Sequence, residues 1–194
     1  GSSGGETVCL HKYFRAPSIH SRVYVMRRQS SQEQTEKEKS MSIERVKEYF
    51  RACGIESRIQ EFSASSATVG LAAELLGCVQ NCKDAVFYGE RAPVLVVTAG
   101  DAKIDNAKYK AQFSTKAKML TPEETAAQIG HEVGGVCPFA VNGGVEIYLD
   151  ISLKRFETVF PACGSCNSAA EFTIPELERY SHFLSWIDVC KGWA

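Results

Sequence analysis

Apolar residues recur at helical spacing at Ile43, Val46 and Phe50, with Ser42 placed as N-cap and Gly54 as terminator, which predicts a first helix. Alternation from Ser57 to Phe62 predicts a strand. Leu71, Ala72, Leu75 and Leu76 then mark a second helix stopped by Gly77. Strands follow at Ala85–Tyr88 and Val94–Thr98. The second lies in the run PVLVVT, apolar at consecutive positions as in a strand buried on both faces. A third helix is expected from Ala102 to Phe113. Thr121-Pro122-Glu123-Glu124 is a strong start for a fourth, with threonine as cap, proline at the first position and glutamate at the third. That helix ends at Gly130. Strands are expected at Val145–Leu149, Thr158–Pro161 and Ala169–Thr173, and a last helix begins at Pro175. Strands and helices mix without regular βα alternation, so the fold class predicted is α+β.

Ahead of this patterned region, Arg27 to Ser40 (RRQSSQEQTEKEKS) holds no apolar residue and reads as a solvated linker. Val23-Tyr24-Val25-Met26 before it has the makings of a short strand, and the opening GSSG reads as an expression-tag remnant. The chain thus divides into residues 1–40, an extension with linker, and residues 41–194, a single folded domain. The linker and the abrupt end at Gly192-Trp193-Ala194 suggest a domain cut from a longer polypeptide.

Of the 194 residues, 44% are hydrophobic and 23% charged, with a formal net charge of −1. No global positive charge announces a nucleic-acid binder, so contact with RNA needs a local patch. Lys103, Lys108, Lys110, Lys116 and Lys118 supply one, relieved by Asp101 and Asp105. No apolar run reaches the roughly 18–20 residues of a membrane helix, so no membrane partner is expected. The eight cysteines are scattered in a chain too large to need staples, consistent with reduced thiols in the cytoplasm. Cys163 and Cys166 form a C-x-x-C and Cys78 and Cys82 a C-x-x-x-C, the makings of a four-thiolate zinc site. The doubled C-x-x-C spacing of zinc ribbons is missing, and neither metal nor cofactor is expected.

The stretch GHEVGGVCP, Gly130 to Pro138, carries the candidate chemistry. A helix exit followed by paired glycines and a proline lets bare N–H groups face a negatively charged atom. No G-x-S-x-G elbow occurs, and His11, His20, His131 and His182 fall in no metal-binding pattern. Cys137 with His131 six residues earlier offers a thiol nucleophile only if their side chains meet.

Six segments in order resemble the YbaK family of aminoacyl-tRNA deacylases: SIERVKEYFRACGIESRIQEF, SATVGLAAELLGC, KDAVFY, PVLVVTAGDAKID, TPEETAAQIGHEVGGVCPF and VEIYLDISLKRFETVFPACGS. The resemblance implies a compact domain with a mixed, barrel-like sheet surrounded by helices. It implies a shallow pocket for the aminoacylated 3′ end of tRNA, proline tRNA foremost, and prolyl-tRNA synthetase as a partner in cis or in trans. A G-x-x-x-P loop in the family matches Gly134 to Pro138, enclosing Gly135, Val136 and Cys137; members usually carry serine or threonine at the place of Cys137. The family's pocket lysine matches Lys83, its pocket aspartate Asp150 and its small loop Gly164 and Ser165. Phe62 and Thr68 fall where side chains shape the amino-acid pocket. Lys83 is expected to contact phosphate or ribose or to order the attacking water. Asp150 is expected to orient the α-ammonium group or hold the lysine, and it also suits a helix N-cap. The activity implied is hydrolysis of proline tRNA mischarged with alanine or cysteine. The competing readings are a non-catalytic module that binds tRNA or a synthetase, and a thiol-based redox or zinc module.

Overall fold

The computed structural model describes residues 41–63 and 82–193, which belong to one compact unit. The expected strand at Val23–Met26, the linker, the helix around Leu71–Leu76 with its stop at Gly77, and the positions of Thr68 and Cys78 lie outside the described residues.

Helix α1 runs through residues 41–53. Val46 and Phe50 are fully buried and Ile43 nearly so, and Gly54 ends the helix at a φ of 73°. Ser42 is not its cap. It already lies inside the helix, buried, with its hydroxyl turned away to a distant histidine ring. A 3-10 turn at Glu56–Arg58 replaces the first half of the strand expected from Ser57, leaving β1 as Gln60–Glu61 alone.

The central sheet is mixed, in the order β2-β3-β5-β9. Strand β2 (Cys82–Phe87) runs antiparallel to β3 (Val94–Ala99), and β3 is parallel to β5 (Glu146–Asp150). Strand β9 (Ser185–Ile187), which the hydrophobic pattern missed, adds a second parallel edge beside β5. All six residues of β3 are buried, as its unbroken apolar run predicts.

Strand β4 (Lys103–Ile104) pairs antiparallel with β10 (Cys190–Lys191), and this displaces the start of the next helix. Helix α2 is therefore Asn106–Phe113 rather than starting at Ala102. Asp105 caps it by accepting from the N–H groups of Ala107 and Lys108. The segment expected as one strand from Ala169 to Thr173 is split. Strand β7 (Ser168–Ala169) pairs with β1, while β8 (Phe172–Thr173) pairs with β6 (Thr158–Val159). The α+β class stands. Among the described residues, however, no sheet closes on itself: three two-stranded ribbons flank the four-stranded sheet, with four helices around them.

Helix α3 (Pro122–Ile129) carries the expected capping box: Thr121 accepts from Glu124 N–H, and the Glu124 carboxylate accepts from Thr121 N–H. Helix α4 (Ile174–Ser181) repeats the device with Thr173 and Glu176. Thr121→Ala removes one half of the box. It is expected to cost about 1 kcal/mol of stability, read by urea denaturation, with no change of fold.

Two aromatic clusters lock the layers. Phe139, just beyond the glycine-rich loop, packs between Phe50 of α1 and Phe172 of β8, with ring centroids 4.9 and 5.1 Å away. Tyr109 of α2 sits between Phe87 of β2 and Phe113, at 4.8 and 4.6 Å. Burying a phenylalanine such as Phe139 stabilises by about 1.5–3 kcal/mol, and here that burial also fixes where the loop ends.

Candidate functional site

The glycine-rich loop leaves α3 through Gly130, in the left-handed region at φ 88°, and turns again at Gly134, φ 94°. Gly135 backs directly onto a second loop. A Cβ at Gly135 would lie 2.6 Å from the Gly164 carbonyl carbon and 2.7 Å from Ser165 N, so only glycine permits the approach. The Gly135 N–H is used within the turn, donating to the Glu132 carbonyl at 3.0 Å. The N–H groups of Gly134 and Val136 have no acceptor among the described residues. Open amides flanking a tight turn form a concavity suited to an anion.

His131 holds this loop shut at its base. Its Nε2 lies 2.7 Å from the Phe139 carbonyl, which can only accept, so Nε2 carries the proton and donates. Nδ1 then accepts from the Ser42 hydroxyl at 2.6 Å. Burial holds the ring neutral, with its pKa lowered to about 4. Cys137 Sγ is 3.7 Å from Nε2, but its thiol is fully buried and pushed far above the ordinary range by that burial. With the Nε2 proton directed at Phe139 and the thiol sealed from solvent, the pair has no free base and no thiolate to attack with. Arg45 completes the clamp, donating to the Ala140 carbonyl at 2.9 Å and to Asn142 Oδ1 at 3.1 Å.

The second loop is equally constrained. Gly164 stands at φ 88°, and a Cβ there would meet the Ser42 carbonyl oxygen at 2.6 Å. The Ser165 hydroxyl donates to Asn167 Oδ1 at 2.9 Å and contacts Ser168 Oγ at 2.7 Å. Asn167 reaches onward to Phe62, with Nδ2 donating to the Phe62 carbonyl and its own carbonyl accepting from Phe62 N–H. The structure therefore brings Phe62, Gly134, Gly135, Val136, Gly164 and Ser165 into one neighbourhood. Asn167 is a member that sequence reasoning missed; a turn-forming asparagine after Gly-Ser was its only signal. Pro138 and the Cys137 side chain are buried beneath the loop rather than on its surface.

Lys83 and Asp150 sit elsewhere. Strand alternation sends Lys83 to one face of β2 and Asp84 to the other. Lys83 Nζ donates to the Ala102 carbonyl at 2.5 Å. Asp150 is fully buried and caps the 3-10 turn Ile151–Arg155: Oδ1 accepts from Ser152 N–H and Oδ2 from Val189 N–H, each at 2.9 Å. Its N-cap reading holds, and no face of it is open to a substrate. Asp84 instead lies near the thiols of Cys82, Cys137 and Cys163, whose pKa values it helps to raise.

The five clustered lysines are all exposed. Lys108 pairs with Asp188 at 2.7 Å, and Lys118 lies over the Tyr88 ring at 4.6 Å. Among the described residues no three His, Cys, Asp or Glu side chains gather as a metal site, and Cys78 of the four-thiolate alternative lies outside them.

The family model of the aminoacyl-tRNA editing domain matches residues 64–180, a span that takes in both loops. The chain belongs to the aminoacyl-tRNA editing domain family. A Bacillus subtilis (strain 168) relative, the uncharacterized protein YwhH, is 52% identical over 156 residues, covering 79% of this chain and 99% of that protein. The proline–tRNA ligase of Lactiplantibacillus plantarum is 26% identical over 125 residues; the match takes 63% of this chain but only 22% of the ligase. Among solved structures, one described as "a putative trans-editing enzyme for prolyl tRNA synthetase" superposes with a TM-score of 0.70 at 28% identity, covering 78% of this chain and 98% of that one. The editing domain is thus homologous to a region within prolyl-tRNA synthetases and similar in fold to a chain described as acting beside one.

Proposed function

We propose that this editing domain hydrolyses the ester bond of misacylated tRNA, with proline tRNA carrying alanine or cysteine as its substrate, acting in trans or within a synthetase. The observation that carries the reading is the pair of open amides at Gly134 and Val136, held in place because Gly135 is pressed against Gly164 and Ser165. An aminoacyl ester is activated, so water can attack it without a protein nucleophile. Negative charge then grows on the carbonyl oxygen. Each well-aimed N–H contributes about 3–4 kcal/mol to such an oxyanion. Phe62 and the Ser165 loop border the amino-acid side of the same concavity. Thr68 is proposed to border it as well. Lys83, half-buried at the start of β2, releases Ala102 to meet a phosphate or ribose of the terminal nucleotide, a task suited to a point charge. Asp150 supports the site through the chain, holding the 3-10 turn and Val189 beside β5.

Deacylation of proline tRNA charged with alanine, cysteine or proline is the direct test. Hydrolysis of at least one mischarged species with sparing of the correct one is expected. Lys83→Ala is expected to slow that reaction at least about tenfold, near 1.4 kcal/mol. Because the Lys83 amine rests on Ala102 on the face opposite Asp84, a second reading is a non-catalytic module that binds tRNA or a synthetase. Absence of hydrolysis on every charged tRNA, with tRNA binding retained, would select it.

A further inference from the structure

We infer that Asp84 is the acceptor for the α-ammonium group of the bound aminoacyl end, an inference that rests on the deacylase reading above. Asp84 sits in β2 opposite Val97 of β3, and alternation carries its side chain to the face that Lys83 does not share. There it lies within electrostatic reach of the thiols of Cys137, at the foot of the glycine loop, and Cys163, which precedes Gly164. Its Oδ1 is sealed from water and has no hydrogen-bond partner among the described residues. A buried acceptor left unpaired is costly and calls for an explanation, and a carboxyl is the one such group here that can gain an ionic partner.

The chemistry of that partner follows from the surroundings. The titratable groups facing the carboxyl are Cys82 on its own strand, Cys137 in the glycine loop and Cys163 in the loop before β7, none of them a cation. Burial alone holds the Asp84 carboxyl well above the usual carboxylate range. Lys83, its neighbour in sequence, does not relieve it. The fold therefore buries a protonated carboxyl with no cation beside it among the described residues. An aminoacyl ester bound at the Gly134 and Val136 amides presents an ammonium one carbon from its carbonyl, a short reach for a carboxyl beneath the same loop. As the ammonium docks, the carboxyl proton leaves to solvent and a carboxylate–ammonium pair remains. Among the described residues the other buried aspartate, Asp150, is spent on the fold; Asp84 is held in reserve for substrate.

The test compares two esters on the same tRNA: alanyl, with an α-ammonium, and lactyl, in which a hydroxyl replaces it. Asp84→Asn is expected to lower kcat/KM on the alanyl ester at least 30-fold and to change the lactyl ester less than threefold. Its unfolding midpoint is expected to hold or rise, since the variant removes a buried carboxyl rather than a contact. Equal losses on both esters, or no loss on the alanyl ester, would overturn the assignment. A second measurement stands apart from the variant and from catalysis: binding of amide-linked alanyl-adenosine and its lactyl counterpart to the unaltered protein at neutral pH. At least tenfold preference for the ammonium ligand supports the inference, and equal binding overturns it. If the unaltered protein hydrolyses neither ester, the deacylase reading fails, while the same binding comparison repeated on Asp84→Asn still reads Asp84: loss of the preference supports the assignment and its retention overturns it.

Discussion

Gly135→Ala is expected to lower the rate of ester hydrolysis at least a hundredfold, about 2.7 kcal/mol of transition-state stabilisation. The added methyl meets the Gly164 carbonyl carbon at 2.6 Å, and the Gly164 oxygen and Ser165 nitrogen at 2.7 Å. All three are backbone atoms that cannot rotate aside. Gly164 cannot retreat either, because its far side lies against the Ser42 carbonyl. The glycine loop must therefore lift, and it carries the Gly134 and Val136 amides with it. A displacement of an ångström is enough to misplace donors that act by preorganisation. Overpacking of this kind also costs about 1–3 kcal/mol of stability. Single-turnover deacylation beside a denaturation curve separates the two effects. A folded Gly135→Ala protein hydrolysing at the unaltered rate would remove the loop from the mechanism.

Acid is expected to loosen the same loop. His131 has its pKa lowered to about 4 in the fold, against the ordinary 6.5 it recovers on unfolding. The stabilisation tied to the neutral ring is fully present above pH 6.5. Below that the unfolded chain takes up a proton that the fold refuses, and the stabilisation drains away until about pH 4. A shift of this size corresponds to about 3 kcal/mol. Asp84 works in the opposite sense, since a carboxyl with a raised pKa makes the fold gain stability on acidification. The measurement is therefore a difference: urea denaturation at pH 7, 5.5 and 4.5 for the unaltered protein and His131→Gln. The variant is expected to be weaker at pH 7 and to lose less than the unaltered protein between pH 7 and 4.5. Parallel losses would mean that His131 is not the group sensing acid.

Local chemistry was legible in the sequence and distant pairing was not. Thr121, Pro122 and Glu124 announce a helix start because the hydrogen bonds of a capping box span three residues, and Gly130 announces its stop for the same reason. Strands β4, β9 and β10 escaped because each has two or three residues, and their partners lie far along the chain. Ser42 reads as a cap by its neighbours, yet a histidine 89 residues away takes its hydroxyl. The glycine loop stands out by its own residues and the Gly164–Ser165 loop only through resemblance, and their contact accounts for the glycines. Lys83 and Asp84 show the limit most plainly. The first half of β2 shows no inside-outside alternation in burial, so nothing local says which of two adjacent charged residues turns toward the loop. That choice is made by what covers each face of the sheet.

The depth at which the Cys137 thiol is buried has a consequence for the protein's life in the cell. Peroxide and electrophiles react with thiolates, and a sulfur that is sealed and held protonated offers them almost none. Among the described cysteines, Cys53 and Cys166, both partly open to solvent, would take oxidative damage before Cys137 does. A cysteine in the middle of the glycine loop is therefore no weak point, and oxidative bursts that disable enzymes relying on an exposed sulfur would leave this loop intact.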